Sequence, residues 1–149
     1  MQKISTWLWF DTQAEEAARF YASVFPNGKV LGTQGPVTSF ELEGIEFYAL
    51  NGGKADFGFT PAVSLYVDCR DQSEVDTLWD KLTADGGSPG QCGWLTDKYG
   101  VSWQIIPRDL PELLADPDPV KAERVMTAML GMQKIDVDAL KQAAIVEGA

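Results

Sequence analysis

Glu46 and Tyr48 stand two residues apart in a segment that reads as a β-strand, and Trp7 and Trp9 do the same in an earlier one. Side chains alternate across a strand, so residues i and i+2 share a face. One face then carries a carboxylate beside a phenol, and another carries two indoles. Ser64, Tyr66 and Gln104 fall on strand-like segments later in the chain. Aromatic rings with a few polar groups make up the usual lining of a small-molecule pocket. The indoles equally suit plain packing. Glu46 and Gln104 favour function, because polar groups are rarely buried idle. Glu46 could serve as a general base if its surroundings desolvate it.

Several chemistries are excluded. The chain has no histidine, which removes the Ser/His/Asp and Cys/His arrangements and the commonest transition-metal ligand. Its two cysteines, Cys69 and Cys92, do not make a disulfide scaffold. Cys92 sits beside Gly93 and Trp94, with Lys98 the nearest basic residue. It reads as an inert thiol near the mouth of a cleft. Asp97 reads as a turn residue. No glycine fingerprint of the strand-GxGxxG-helix type is present. With 12 basic and 22 acidic residues the net charge is −10. That charge argues against nucleic acid and anionic membrane partners. No apolar run is long enough to span a bilayer. Met1-Gln2-Lys3 leads directly into strand-like sequence, so a cytoplasmic location is the default expectation.

The elements that must position these residues come from a repeat. Leu8-Trp9-Phe10-Asp11 matches Leu65-Tyr66-Val67-Asp68, a shift of 57, and Gly44-Ile45-Glu46-Phe47 matches Gly100-Val101-Ser102-Trp103, a shift of 56. Agreement of two segments points to one duplicated supersecondary unit, with a cleft expected between the copies. In the first copy Ile4–Phe10 reads as a strand. Thr12-Gln13-Ala14-Glu15 reads as a capping box, and Ala17, Phe20, Tyr21 and Val24 follow at helical spacing. Strands are expected near Lys29–Thr33, Val37–Leu42 and Ile45–Leu50, the last pair joined by a Glu43-Gly44 turn. The second copy repeats the order. Ala62–Asp68 is its strand, Ser73 starts its helix, and Val75, Leu78, Trp79 and Leu82 form the stripe. Strands near Gln91–Leu95 and Val101–Pro107 flank a turn at Asp97–Gly100. If Leu8 and Phe10 cover the first helix, Ser5, Trp7 and Trp9 face the cleft. Glu46, Tyr48 and Leu50 face it from the last strand. Their expected counterparts are Ala62, Ser64 and Tyr66, with Ser102, Gln104 and Ile106. Beyond Pro107, Leu110–Ala115 and Val120–Leu130 read as helices separated by Asp116-Pro117-Asp118-Pro119. The stripe Val125, Met126, Met129 and Leu130 needs a surface to dock on. Asp136 caps a last helix running to Ala144.

The chain resembles the vicinal oxygen chelate superfamily, which includes glyoxalase I and the bleomycin-resistance proteins. Within it, the finer similarity is to the PhnB-like branch, often labelled 3-demethylubiquinone-9 3-methyltransferase-like. The resemblance is carried by Leu8-Trp9-Phe10-Asp11, Ala14–Tyr21, Val24-Phe25-Pro26-Asn27, Ala49–Gly53 and Pro61–Leu65. It continues through Glu74-Val75-Asp76 with Leu78-Trp79, Cys92–Leu95 with Asp97, and Ser102–Pro107. In the tail it rests on Met126, Ala128-Met129-Leu130, Met132 and Lys134-Ile135-Asp136. The resemblance implies an α+β fold of two tandem βαβββ units with a C-terminal helical tail. A single domain over 1–149 is expected, with units at 1–60 and 61–110 and the tail at 111–149. Metal-binding relatives place His, Glu or Gln ligands on the first and last strand of each unit. Those positions fall here near Ser5, Tyr48, Ala62 and Gln104, of which Gln104 alone is a credible ligand. The expectation is therefore no metal and no cofactor.

Three functions remain open. The first is a binding module that takes a small apolar or aromatic molecule against Trp7, Trp9, Tyr48, Ser64, Tyr66 and Gln104. The second is a metal-free enzyme using Glu46, Tyr48 or Gln104. The third is an assembly unit whose cleft is filled. A homodimer is expected in each case, because an open sheet needs its free face and edges covered.

Overall fold

The structure, a computed structural model, describes residues 2–145. The chain divides into two compact units, Met1–Gly58 and Phe59–Ala149. The first contains β1 (Thr6–Phe10), α1 (Ala14–Val24), β2 (Lys29–Gln34), β3 (Val37–Leu42) and β4 (Ile45–Asn51). The second contains β5 (Ser64–Cys69), α2 (Gln72–Thr83), β6 (Ser88–Pro89), β7 (Trp94–Thr96) and β8 (Ser102–Pro107). It continues into α3 (Asp109–Leu114), α4 (Pro119–Leu130) and α5 (Val137–Ile145). Each unit has one four-stranded sheet, ordered β1-β4-β3-β2 in the first and β5-β8-β7-β6 in the second. In each, the first strand lies parallel to the last and the rest are antiparallel. This is the expected βαβββ arrangement, twice, followed by helices.

One face of each sheet is covered by its helix. In the first unit Leu8, Phe10, Phe40, Phe47 and Ala49 are buried with Ala14, Ala17, Ala18, Tyr21 and Val24 of α1. Tyr21, Phe40 and Phe47 form an aromatic run with centroids 5.8 and 5.4 Å apart. The small residues of α1 let the helix lie close to the strands, so this core is filled chiefly by rings from the sheet. In the second unit Val75, Leu78, Trp79 and Leu82 of α2 are buried with Leu95, Trp103 and Ile105. The Glu43-Gly44 turn forms with φ of 51° and 78°, both positive as a two-residue type I′ hairpin requires.

Several expectations need correction. The capping box at Thr12–Glu15 does not form. Gln13 is the N-cap and makes no side-chain bond, and the Ala14 N–H instead donates to Asn51 Oδ1 at 2.8 Å. The cap is thus supplied by the end of β4, beyond the reach of a local pattern. The second helix starts before Ser73. Asp71 is its N-cap, accepting from the Glu74 N–H at 2.9 Å, while Glu74 accepts from the Arg70 N–H. The third strand of the second unit is Trp94–Thr96, and the two-residue β6 pairs with it. The repeat register also differs. Trp7 pairs with Tyr48, whereas Tyr66 pairs with Gln104. The Gly52 N–H donates to the Phe10 carbonyl as the Arg108 N–H donates to the Cys69 carbonyl. With the last strands aligned at 56, the first strands therefore align at 59 rather than 57. The error of two is even, so every residue keeps its face, but the counterpart of Tyr66 is Trp7 rather than Trp9.

The tail packs on its own unit. Ile106 of β8 joins Leu110, Val125, Ile135, Leu140 and Ala144 in one buried cluster, with Leu113, Leu114, Ala128, Met129 and Met132 against it. Of the expected stripe, Val125 and Met129 dock, while Met126 and Leu130 are exposed. Two polar clamps fix the tail. Gln72 donates to the Ile135 carbonyl at 2.9 Å and accepts from the Val137 N–H at 2.7 Å. The N–H groups of Cys92 and Gly93 donate to the carbonyls of Met132 and Gln133, each at 2.8 Å. Gly93 is required at that contact. Its φ is +85°, and a Cβ there would lie 2.6 Å from Ile106 Cδ1 and 3.0 Å from Ile135 Cγ1.

Candidate functional site

The helix-free face of the first sheet is aromatic. Trp7 is 53% exposed and Trp9 41%. Their neighbours on β1, Leu8 and Phe10, are buried, so the expected alternation holds. Trp7 stacks on Tyr48 of β4, with centroids 4.8 Å apart and planes 12° from parallel. Their Cα atoms are register partners, and Ser39 of β3 continues the row. Trp7 Nε1 donates to Ser5 Oγ at 3.1 Å. Trp9 is held differently: its Nε1 donates to the Gly53 carbonyl at 3.0 Å and its ring meets Phe57 edge-on. Gly52 lies against the Trp9 ring so closely that any Cβ there would collide with it.

The Tyr48 hydroxyl donates to Glu46 Oε2 at 3.1 Å. This bond, and then the carboxylate's charge, raise the Tyr48 pKa above its ordinary value. Tyr48 therefore stays a neutral donor at physiological pH. Glu46 also stands directly opposite Glu41 on the same face, and Lys29 reaches Glu41 at 4.0 Å. Trp7, Tyr48 and Glu46 are thus brought together, with Trp9 farther along β1.

In the second unit Ser64, Tyr66 and Gln104 come together on the corresponding face. Gln104 Nε2 donates to Ser64 Oγ at 3.0 Å. Tyr66 on one side and Trp94 on the other are Gln104's register partners. Burial, followed by the charge of Asp68, raises the Tyr66 pKa, so this phenol also stays neutral. The row Tyr66–Gln104–Trp94 floors an open groove of about 220 Å³. Ile106 and Cys92 border it, and Leu110, Pro111, Leu114 and Met129 of the tail complete the lining. Ile106 was among the expected cleft-facing residues; Trp94 and these tail residues were not. The apolar spacing of Leu110, Leu114 and Met129 signalled packing but not what they would pack against.

Cys69 presents no activated thiol. Cys69 is buried, and burial, with Glu74 and Asp68 nearby, pushes its pKa up to about 12. Asp97 is 2% exposed and organises the β7–β8 turn. It accepts from the N–H groups of Tyr99 and Val101 at 2.9 and 3.1 Å and from Trp103 Nε1 at 2.9 Å.

A family whose description reads 3-demethylubiquinone-9 3-methyltransferase matches residues 2–106. A solved structure described as a putative 3-demethylubiquinone-9 3-methyltransferase, PhnB protein, from Bacillus cereus is 37% identical. The match covers 71% of this chain and 99% of that one, with a TM-score of 0.65. The chain belongs to this 3-demethylubiquinone-9 3-methyltransferase-like, PhnB-like family. More distant structures share the fold. A glyoxalase-related enzyme from Fulvimarina pelagi is 15% identical over 72% of this chain and 88% of that one, with a TM-score of 0.51. A glyoxalase/bleomycin resistance protein from Albidiferax ferrireducens is 16% identical over 66% and 92%, with a TM-score of 0.50. No curated protein matches the chain. The family match ends at Ile106, so the helical tail lies outside it.

The metal chemistry that the resemblance implies does not fit these residues. At the four positions where ligands were expected, the Ser5 hydroxyl accepts from Trp7, the Tyr48 hydroxyl donates to Glu46, and Ala62 is apolar. Gln104 donates its amide nitrogen to Ser64, which leaves its Oε1 as the one candidate ligand atom of the four positions. Among the described residues no group of three or more His, Cys, Asp or Glu side chains is placed to hold an ion. A catalytic zinc takes at least three protein ligands.

Proposed function

We propose that this PhnB-like protein binds a small apolar or aromatic molecule on the aromatic faces of its sheets, without a metal ion or other cofactor. The observation that carries the reading is the Trp7–Tyr48 stack, half-exposed on the helix-free face of the first sheet. A flat ring pair costs solvation where it stands and offers stacking surface to a ligand. Trp9 adds to this face, and Ser64, Tyr66 and Gln104 supply the proposed contacts on the face of the second sheet. The protein acts as a homodimer in the cytoplasm. No helix among the described residues is long and apolar enough to cross a membrane, and a charge of −10 disfavours nucleic acid.

A second reading, a metal-free enzyme, is favoured by the Tyr48–Glu46 hydrogen bond, which sets a donor and a carboxylate side by side. The methyltransferase wording of the family description has no counterpart in a cofactor-binding motif of this sequence.

The test is a thermal-shift screen of small aromatic compounds, followed by calorimetric titration of a hit against the wild type and Trp7→Ala. Loss of roughly 1–3 kcal/mol of affinity in the variant supports a central ring contact. Absence of any hit favours the assembly reading. Chemical turnover of a hit would favour the enzyme.

A further inference from the structure

We propose that the groove of the second unit is a separate subsite for a neutral, monocyclic aromatic carrying one hydroxyl, and that the tail determines what it accepts. The proposal rests on the small-molecule reading above and deepens it. Size is the first constraint. The groove measures about 220 Å³, and a closed apolar cavity of about 150 Å³ already takes benzene. A substituted single ring matches that space.

Charge is the second constraint. None of the lining residues is ionisable at neutral pH except through a thiol or a phenol, and burial holds the Tyr66 phenol neutral. An ionic ligand would lose its hydration with nothing opposite to replace it. Hydrogen bonding is the third. Gln104 Nε2 is used by Ser64, and within the described residues Gln104 Oε1 accepts no bond. A ligand hydroxyl can therefore donate to it. Tyr66 and Trp94 flank Gln104 in the sheet and offer ring surface at either side of that acceptor.

One wall of the groove, from Leu110 to Met129, comes from beyond Ile106, where the family match stops. Selectivity at this subsite is thus a property of the tail, held in place by Gln72 and by the Cys92–Gly93 backbone.

Cys92 supplies an internal reporter. It lines the groove and is half-buried, while Cys69 is buried with a strongly raised pKa. The probe is 4-fluorophenol, read by its fluorine NMR line and by its protection of Cys92 from iodoacetamide, with alkylation sites assigned by mass spectrometry. Binding should broaden or shift the line and slow Cys92 alkylation several-fold, leaving Cys69 unmodified throughout. Leu114→Trp should abolish the protection of Cys92 by filling the groove. Pro111→Trp, at an exposed position on the rim, does the same if Leu114→Trp fails to fold. Line changes without protection of Cys92, lost in Trp7→Ala, would overturn the subsite while sustaining the first-sheet reading. Absence of binding to the wild type at millimolar probe would overturn the subsite. If the thermal-shift screen also yields nothing, the small-molecule reading falls with it.

Discussion

Gly93→Ala should loosen the tail and erase the groove. The residue has φ +85°, and its amide and carbonyl both bond, to the Gln133 carbonyl and from the Ile105 N–H, each at 2.8 Å. The backbone therefore cannot relax without breaking one of them. Placing an L-residue in the left-handed region costs about 1–2 kcal/mol. Packing adds to this. The new methyl would lie 2.6 Å from Ile106 Cδ1, 3.0 Å from Ile135 Cγ1 and 3.2 Å from the Ile105 carbonyl oxygen. Ile106 can rotate, but it is 5% exposed and Ile135 is fully buried, so rotation moves the strain into their cluster. Overpacking of this kind costs about 1–3 kcal/mol. The sum, reduced by the smaller unfolded-state entropy of alanine, is roughly 2–4 kcal/mol. Gly44→Ala is the control. Its φ is +78°, but a Cβ there meets nothing within 4 Å, so only the backbone part, about 1 kcal/mol, applies. Native-state hydrogen exchange resolves the two. In Gly93→Ala the amides of residues 92 and 93 should exchange through a tail-opening step much less costly than in the wild type. In Gly44→Ala they should be unchanged. Equal effects of the two variants, or wild-type protection in Gly93→Ala, would refute the docking argument.

Other outcomes follow from the same contacts. Asp97→Ala should destabilise the second unit by about 3 kcal/mol or more, since three donors lose their acceptor in a buried turn; denaturant unfolding of the variant measures it. Glu46→Gln should bring the Tyr48 pKa down toward 10.0, because the carboxylate that raises it is gone; the phenolate absorbance titration reads this directly. Asp76 is held below 3.8, first by Gln72 and then by Lys134. A lowered folded pKa gives stability that is present above the ordinary value and lost as pH falls through the lowered one. Asp76→Asn should therefore flatten the acid limb of the stability profile. For assembly, light scattering at micromolar concentration should give twice the monomer mass; a value near 16.3 kDa would rule out the homodimer.

What the sequence disclosed was its local periodicity. Leu8 and Phe10 inside with Trp7 and Trp9 outside follow from alternation alone, and Val75, Leu78, Trp79 and Leu82 follow from helical spacing. Contacts made across long separations were hidden. The α1 cap comes from Asn51, 37 residues from Ala14. Tail docking selected Val125 and Met129 over Met126 and Leu130, which the same amphipathic pattern could not distinguish. The match of Leu8–Asp11 to Leu65–Asp68 aligned similar residues two positions out of structural register. That Tyr66 and Gln104 share a sheet face was legible from strand alternation. The wall opposite them was not, because it depends on how the tail folds back over β8.

The most direct test of the central claim is calorimetric titration of untagged protein with a hit from the aromatic screen, before and after chelator treatment, alongside elemental analysis. The account predicts well under one equivalent of zinc, nickel, manganese or iron, and a dissociation constant unchanged by the chelator. Stoichiometric metal, with binding or activity lost on chelation and restored by adding the ion back, would contradict it.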